Sequence, residues 1–367
     1  ECKGVLDGNG KTISNLKINR ASSDFVGLFG RCSGSTIKNL SLKGDVIGNN
    51  FVGLLCGFAN PNYIINCELS GSVSGNSQVG GCSGFNSAIS ETSSTVTVSA
   101  QGDYVGGLVS HTVCGIEKCE VQASVTGNSY VGGIAGNSDG NDKCVKASRF
   151  FGRVNGNSFV GGICGDGNSN SCYAIGKVTA TGEKCGGLSG YGTVGDSYFS
   201  GIVEGNNYVG GIVGMGNCEK SYANANVSGT EYVGGICGSL YSFLNNSVAI
   251  CTYIKATDGN VGRISGERNP SVSSNKAYNR TIVISQGVAQ DIIDDQQNGT
   301  GVSATTLKLK ATYVAMDWDF TDTWAIQETE CYPYFKTQTA PPVITSDVVS
   351  GATTINGNCV NGATVMA

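Results

Sequence analysis

The chain has 367 residues, a net charge of −5 and only 14% charged residues, with glycine at 56 positions and proline at 5. There is no basic stripe of the kind that grips nucleic acid or an anionic membrane and no apolar run long enough to span a bilayer. Glycine is too irregular for collagen, which needs it at every third position, so the composition describes a polar, weakly charged chain whose backbone turns often.

Residues 1–20 contain Leu6-Asp7-Gly8-Asn9-Gly10-Lys11-Thr12-Ile13, where Asp-Gly and Asn-Gly mark tight turns between short strands. From residue 25 one phrase takes over: aromatic, Val, Gly, Gly, aliphatic, small, Gly. Its full form is Tyr130-Val131-Gly132-Gly133-Ile134-Ala135-Gly136. Marked by its second residue, it recurs at Val26, Val52, Val79, Val105, Val131, Val160, Cys185, Val209, Val233 and Val261. The steps are 26, 27, 26, 26, 29, 25, 24, 24 and 28 residues. Ten units at a near-fixed period predict a solenoid.

A second phrase lies between these, as in Ser221-Tyr222-Ala223-Asn224-Ala225-Asn226-Val227. Its period-2 alternation predicts a strand with Ser221, Ala223, Ala225 and Val227 on the inner side. The same inner columns hold Cys172/Ala174/Gly176/Val178 and Ser148/Phe150/Gly152/Val154. Each unit thus supplies two strands, and a third from its variable stretch. The fold class expected is all-β: a right-handed parallel β-helix of about ten coils with a C-terminal cap, the hand following the bias of parallel crossovers. Coils stacked at roughly 4.8 Å make a rod on the order of 50 Å long, whose raw ends need covering.

The repeats are assigned to residues 1–276. Residues 277–340 read as the cap: a polar turn or short helix at 291–299, then Trp318-Asp319-Phe320, Trp324-Ala325-Ile326 and Tyr332-Pro333-Tyr334, aromatics suited to a lid just past the last coil. Ala340-Pro341-Pro342 signals a linker, and residues 341–367 read as a tail or the first strands of an immunoglobulin-like domain. Lacking a starting Met and a signal peptide, the chain reads as a piece of something longer.

The glycine phrase, the opening at Leu6–Ile13 and the Trp318…Trp324…Tyr332-Pro333-Tyr334 closing together resemble the GLUG-repeat proteins of bacteria, over about residues 1–340. The tail is similar to the start of a bacterial immunoglobulin-like surface domain. This resemblance implies a β-helical repeat in a large exported protein: an adhesin, a surface protein, or the non-catalytic region of some immunoglobulin-A-cleaving metallopeptidases. Those peptidases carry a HExxH zinc motif, which this chain, with His111 alone, lacks. Its sixteen cysteines also depart from the family pattern.

Three groups are candidate sites. The aromatic column Phe25, Phe51, Tyr104, Tyr130, Phe159, Tyr208 and Tyr232, interrupted by Gln78 and Lys184, forms either a strip that holds sugar rings or a partner, or a structural stacking ladder at a corner. Asp139, Asp142 and Asp166 fall in neighbouring units and supply carboxylates for glycoside hydrolysis if two lie about 5–9.5 Å apart. The alternative is solvated turn residues. Asp317, Asp319 and Asp322 lack the pattern of a calcium loop. Cys67, Cys119 and Cys172 share one inner column and Cys56, Cys164 and Cys237 another, never in adjacent units. They read as small core fillers, the alternative being local disulfides such as Cys114–Cys119 or Cys164–Cys172. No motif calls for a cofactor or metal.

The function expected is non-catalytic: a structural or adhesive module of an exported cell-surface protein, extracellular, whose partner is a surface glycan or protein or further copies of itself. The alternatives are a filament subunit assembled by strand addition or end-to-end stacking, and a polysaccharide-active β-helix enzyme.

Overall fold

A computed structural model describes residues 2–60, 62–139, 145–269 and 271–338, together with the backbone of the short antiparallel pair Val343–Ile344 and Gly357–Asn358. The immunoglobulin-like assignment and Asp142 otherwise lie outside the described residues. The chain is an all-β parallel solenoid of about 11 turns with little helix.

The coil beginning at Ser129 shows how the sequence builds the turn. Ser129–Gly132 carries the glycine phrase, Ala135–Ser138 follows it, and Arg149–Gly156 is the long alternating strand. Each pairs in parallel with its counterpart one unit on: Val131 with Val160, Ala135 with Cys164, Val154 with Val178. The glycine-phrase strands of nine successive coils form one sheet, and the other two faces merge into a second.

The aromatic that opens each phrase is a corner. Phe25, Phe51, Gln78, Tyr104, Tyr130, Phe159, Lys184, Tyr208 and Tyr232 all have φ between 53° and 61°, a left-handed conformation that costs a non-glycine residue about 1 kcal/mol. Recurrence in nine successive coils makes it a designed bend, and the next residue in each, Val or Cys185, turns fully inward. Two glycines follow because the core of their own coil and the backbone of the next leave them no room. A Cβ on Gly133 would lie 2.6 Å from ring carbons of Phe150 and closer still to the carbonyl oxygen of Gly162.

A second left-handed corner precedes the long strand, at Asn66, Glu91, Lys118, Ala147, Ser171, Asp196, Lys220, Asn246 and Ser274. The small residue after each one locks it. The Ser148 hydroxyl donates to the Lys146 carbonyl at 2.7 Å, and the Cys119 amide of the preceding coil donates to the Ser148 oxygen at 3.0 Å. Ser197, Ser221 and Ser247 repeat this arrangement, and the Cys67, Cys119 and Cys172 thiols donate likewise to the carbonyl two residues back. The cysteines of the two inner columns are buried, and among the described residues no disulfide forms, neither Cys114–Cys119 nor Cys164–Cys172. Along the long strand Cys172, Ala174 and Val178 are buried as the alternation predicts, but Gly176 is only half-buried, at φ 145°.

Ladder pairing runs past residue 276, with Lys276–Tyr278 pairing with Thr300–Val302. The end of the stack is closed by residues 294–299. The Ile264 and Ser265 amides donate to the Gln297 carbonyl, both at 3.1 Å, and the Arg263 amide donates to Asn298 Oδ1 at 3.1 Å. Arg263 is 3% exposed and held by Asp294 at 2.8 Å and the Gly299 carbonyl at 3.0 Å. The aromatic segment therefore does not serve as the lid expected of it. It runs back along the flank and packs on an outward column of the coils, Tyr173–Tyr198–Tyr222, whose rings stack at 4.9 Å. Trp318, Trp324, Tyr313 and Phe335 complete a second hydrophobic core there. Polar atoms fix the docking: the Tyr222 hydroxyl donates to the Pro333 carbonyl at 2.7 Å and Trp318 Nε1 donates to the Asn246 carbonyl at 2.8 Å.

Candidate binding strip

The predicted aromatic column forms continuous stacks at the first corner. Phe25 and Phe51 stack at 4.9 Å, Tyr104, Tyr130 and Phe159 at 4.7 and 4.6 Å, and Tyr208 and Tyr232 at 5.1 Å. All seven rings are half-buried. The gaps at Gln78 and Lys184 divide the column into three stacks.

A second column, not anticipated from the sequence, stands beside it. Phe58, Phe85, His111, Asn137, Asp166, Tyr191 and Met215 each lie seven residues after a corner residue, and Arg31 holds the matching place in the first coil. Phe58 and Phe85 stack at 5.0 Å, and Phe58 meets Phe25 and Phe51 edge-on. Cations cover two of the remaining ring faces: the Arg31 guanidinium lies 3.7 Å from the Phe25 ring centre and Lys184 Nζ lies 4.2 Å from that of Phe159. The constant offset of seven was the signal that would have revealed this column. It was obscured because the column mixes aromatic, polar and acidic residues.

This geometry limits what the strip can hold. From Phe25 to Phe159 neighbouring rings or cations occupy most ring faces, so the surface there offers mainly ring edges, with hydroxyls at Tyr104, Tyr130, Tyr208 and Tyr232. Each stacked pair adds about 0.5–1.5 kcal/mol beyond burial, so the ladder stiffens the corner whatever else it does.

At mid-rod the second column turns polar. His111 Nε2 lies 3.2 Å from an Asp139 carboxylate oxygen, and His111 packs on Phe85 and Tyr104. Asn137 is 6% exposed and its Oδ1 has no hydrogen-bond donor among the described residues. Burial, and then the neighbouring Asp139 charge, pushes the Asp166 carboxyl up to about 6, opposed by Lys184. The Tyr104 and Tyr130 hydroxyls are also raised, by burial first and then by nearby charged groups. The structure thus brings Asp139 and Asp166 into electrostatic contact. Asp319, by contrast, is a turn residue that accepts hydrogen bonds from the Thr321 and Asp322 amides and the Thr323 hydroxyl. Among the described residues no three His, Cys, Asp or Glu side chains are placed to share a metal ion.

The fold and this strip define a parallel β-solenoid with a stacked corner ladder. No protein-family profile matches the chain. A stretch of 59 residues, 16% of the chain, is 49% identical to Halomucin of Haloquadratum walsbyi, of which it covers 1%. The match therefore spans about one hundredth of that protein's length. The crystal structure of a candidate immunoglobulin A1 protease from Bacteroides ovatus aligns with 91% of this chain and 77% of its own, at 17% identity and a TM-score of 0.26.

Proposed function

We propose that this chain is a non-catalytic stalk and adhesion module of an exported cell-surface protein of the GLUG-repeat kind. The observation that carries this reading is the unbroken parallel ladder of about 11 turns over a continuous apolar core. A rod joined at every turn resists bending and holds one repeated surface along its length. Low charge and a polar exterior suit a partner bound by hydrogen bonding, and a surface glycan meets ring edges and tyrosine hydroxyls in that way. The short stretch shared with Halomucin, a far longer protein, supports the view of the chain as one part of a larger polymer.

The test is a glycan array probed with the purified chain and with the double variant Tyr104→Phe/Tyr130→Phe, which keeps the stack and removes two hydroxyls. We expect one glycan class to bind and the variant to lose at least tenfold in affinity without a change in melting. Equal binding by both proteins, or no binding, refutes the adhesive assignment of the strip. Release of reducing ends from a polysaccharide, lost in Asp166→Asn, would replace it with the enzyme reading.

One feature favours a second reading, assembly by strand addition. Among the described residues Val5–Asn19 has a ladder partner on one side only, Thr36–Ile47, and leaves Val5 70% exposed. Whatever pairs with its other edge, preceding chain or another copy, adds a coil to the rod. Electron microscopy of the full-length native protein distinguishes a filament with a step near 50 Å or a small multiple from separate rods.

A further inference from the structure

The first coils hold a chain of thiols that the strip does not involve. Cys2 and Cys32 are direct partners in a parallel bridge: the Cys2 amide donates to the Arg31 carbonyl at 2.8 Å and the Ser33 amide donates to the Cys2 carbonyl at 3.1 Å. Paired residues on adjacent strands sit about 4.8 Å apart and direct their side chains to the same face, within the Cα separation a disulfide spans. The two thiols influence each other's ionisation, and the Cys56 thiol of the next coil acts on Cys32 as well. Cys56 is fully buried and its Sγ donates to the Phe58 carbonyl at 3.1 Å. Cys2 is partly exposed, whereas Cys32 is 2% exposed. One partner thus meets solvent and the other waits beneath it.

We propose that Cys2 and Cys32 are a redox site, which a low-molecular-weight disulfide converts into a covalent staple between the first coil and the second. The Cys2 thiolate attacks glutathione disulfide, forming a mixed disulfide and expelling one glutathione thiolate. The Cys32 thiolate then attacks the Cys2 sulfur and expels the second. The two protein thiols lose two electrons and two protons, and glutathione disulfide is reduced to two glutathione molecules. Interaction with the Cys56 thiol, against the opposing effect of burial, lowers the Cys32 thiol and so favours the second attack. The staple ties down the coil that has a ladder on one side only, and it stands independently of the adhesive reading.

The experiment treats the folded chain with glutathione disulfide, alkylates it in denaturant and maps tryptic peptides by mass spectrometry. The expected product is one species joining the Cys2 and Cys32 peptides, two hydrogens lighter than their sum, with titratable thiols reduced by two. Cys56→Ser retains it. In Cys2→Ser, with circular dichroism confirming the fold, Cys32 stays fully alkylatable. Glutathione retained on Cys2, a Cys32–Cys56 link, or complete alkylation of Cys2 and Cys32 after oxidation each overturns the proposal, and the wild-type map decides it even if a variant misfolds.

Discussion

Gly133→Ala tests the claim that the coils are spaced by their glycines. The added methyl group would meet the Phe150 ring at 2.6 Å and crowd the Gly162 carbonyl of the next coil, where ordinary contact begins near 3.4 Å. Phe150, on the long strand of the same coil, is 1% exposed and has no space to withdraw, so the methyl group must push against the Gly162 carbonyl and part the two coils. Two ladder bonds span that junction close by, from the Gly133 amide to the Gly161 carbonyl at 3.1 Å and from the Ile134 amide to the Ile163 carbonyl at 2.9 Å. Overpacking costs about 1–3 kcal/mol and two weakened hydrogen bonds about 1 kcal/mol each, so a loss of about 3–5 kcal/mol is expected. Stability in a stack is transmitted between neighbours, and the weakened junction should split one unfolding transition into two. Gly115→Ala is the control: its Cβ meets nothing within 4 Å, and the change should stay within about 0.5 kcal/mol of wild type. Urea unfolding followed by circular dichroism measures both. A Gly133→Ala protein as stable as the control would refute the spacing argument.

Three further outcomes are expected. Trp324→Ala removes a fully buried side chain from the flank core, an exchange that costs about 3–5 kcal/mol; trypsin should then cut after Lys308 and Lys310 while the coils keep their circular dichroism, and unchanged protection would contradict the docking. Asp166 titrates higher folded, at about 6, than the 3.8 of a free carboxyl, so the folded state holds the extra proton between those values and stability falls as pH rises through that window. Asp166→Asn should flatten the decline and stabilise the chain at pH 7, and parallel slopes in urea titrations at pH 4.5 and 7 would count against it. Arg263→Ala should open the sealed end, raising hydrogen exchange at the Ile264 and Ser265 amides at least tenfold, with no effect on the amides of Val52 or Val79.

The features legible in the sequence were those repeated in every coil. A constraint imposed ten times leaves a column, and the columns of Val, Gly-Gly and small Cys or Ser gave the period, the parallel register and the buried thiols. The corner residue was visible too, but not its side of the wall. Alternation assigns sides only while the backbone stays extended, and a φ near 55° at Tyr130 and its counterparts interrupts the alternation. Gly176 fails for the same reason.

The flank core was illegible for a different reason. Tyr173, Tyr198 and Tyr222 occupy outward positions on the long strands, where alternation predicts exposure, and nothing nearby in sequence reveals that Trp318 and Trp324 return to cover them. One such contact, from the Tyr222 hydroxyl to the Pro333 carbonyl, spans 111 residues. It occurs once, so no periodicity records it. The only trace is compositional: three stacked tyrosines in successive coils, where the coils before and after place other residues, and both tryptophans of the chain in one later segment. An outward column that becomes aromatic for a few coils and then stops has the length of whatever covers it. The strip of Tyr104, Tyr130 and Phe159 has the same form, a short run of rings on the outside of consecutive coils. In the flank the cover is part of the chain; at the strip none of the described residues provides one, and a glycan partner is the proposed occupant.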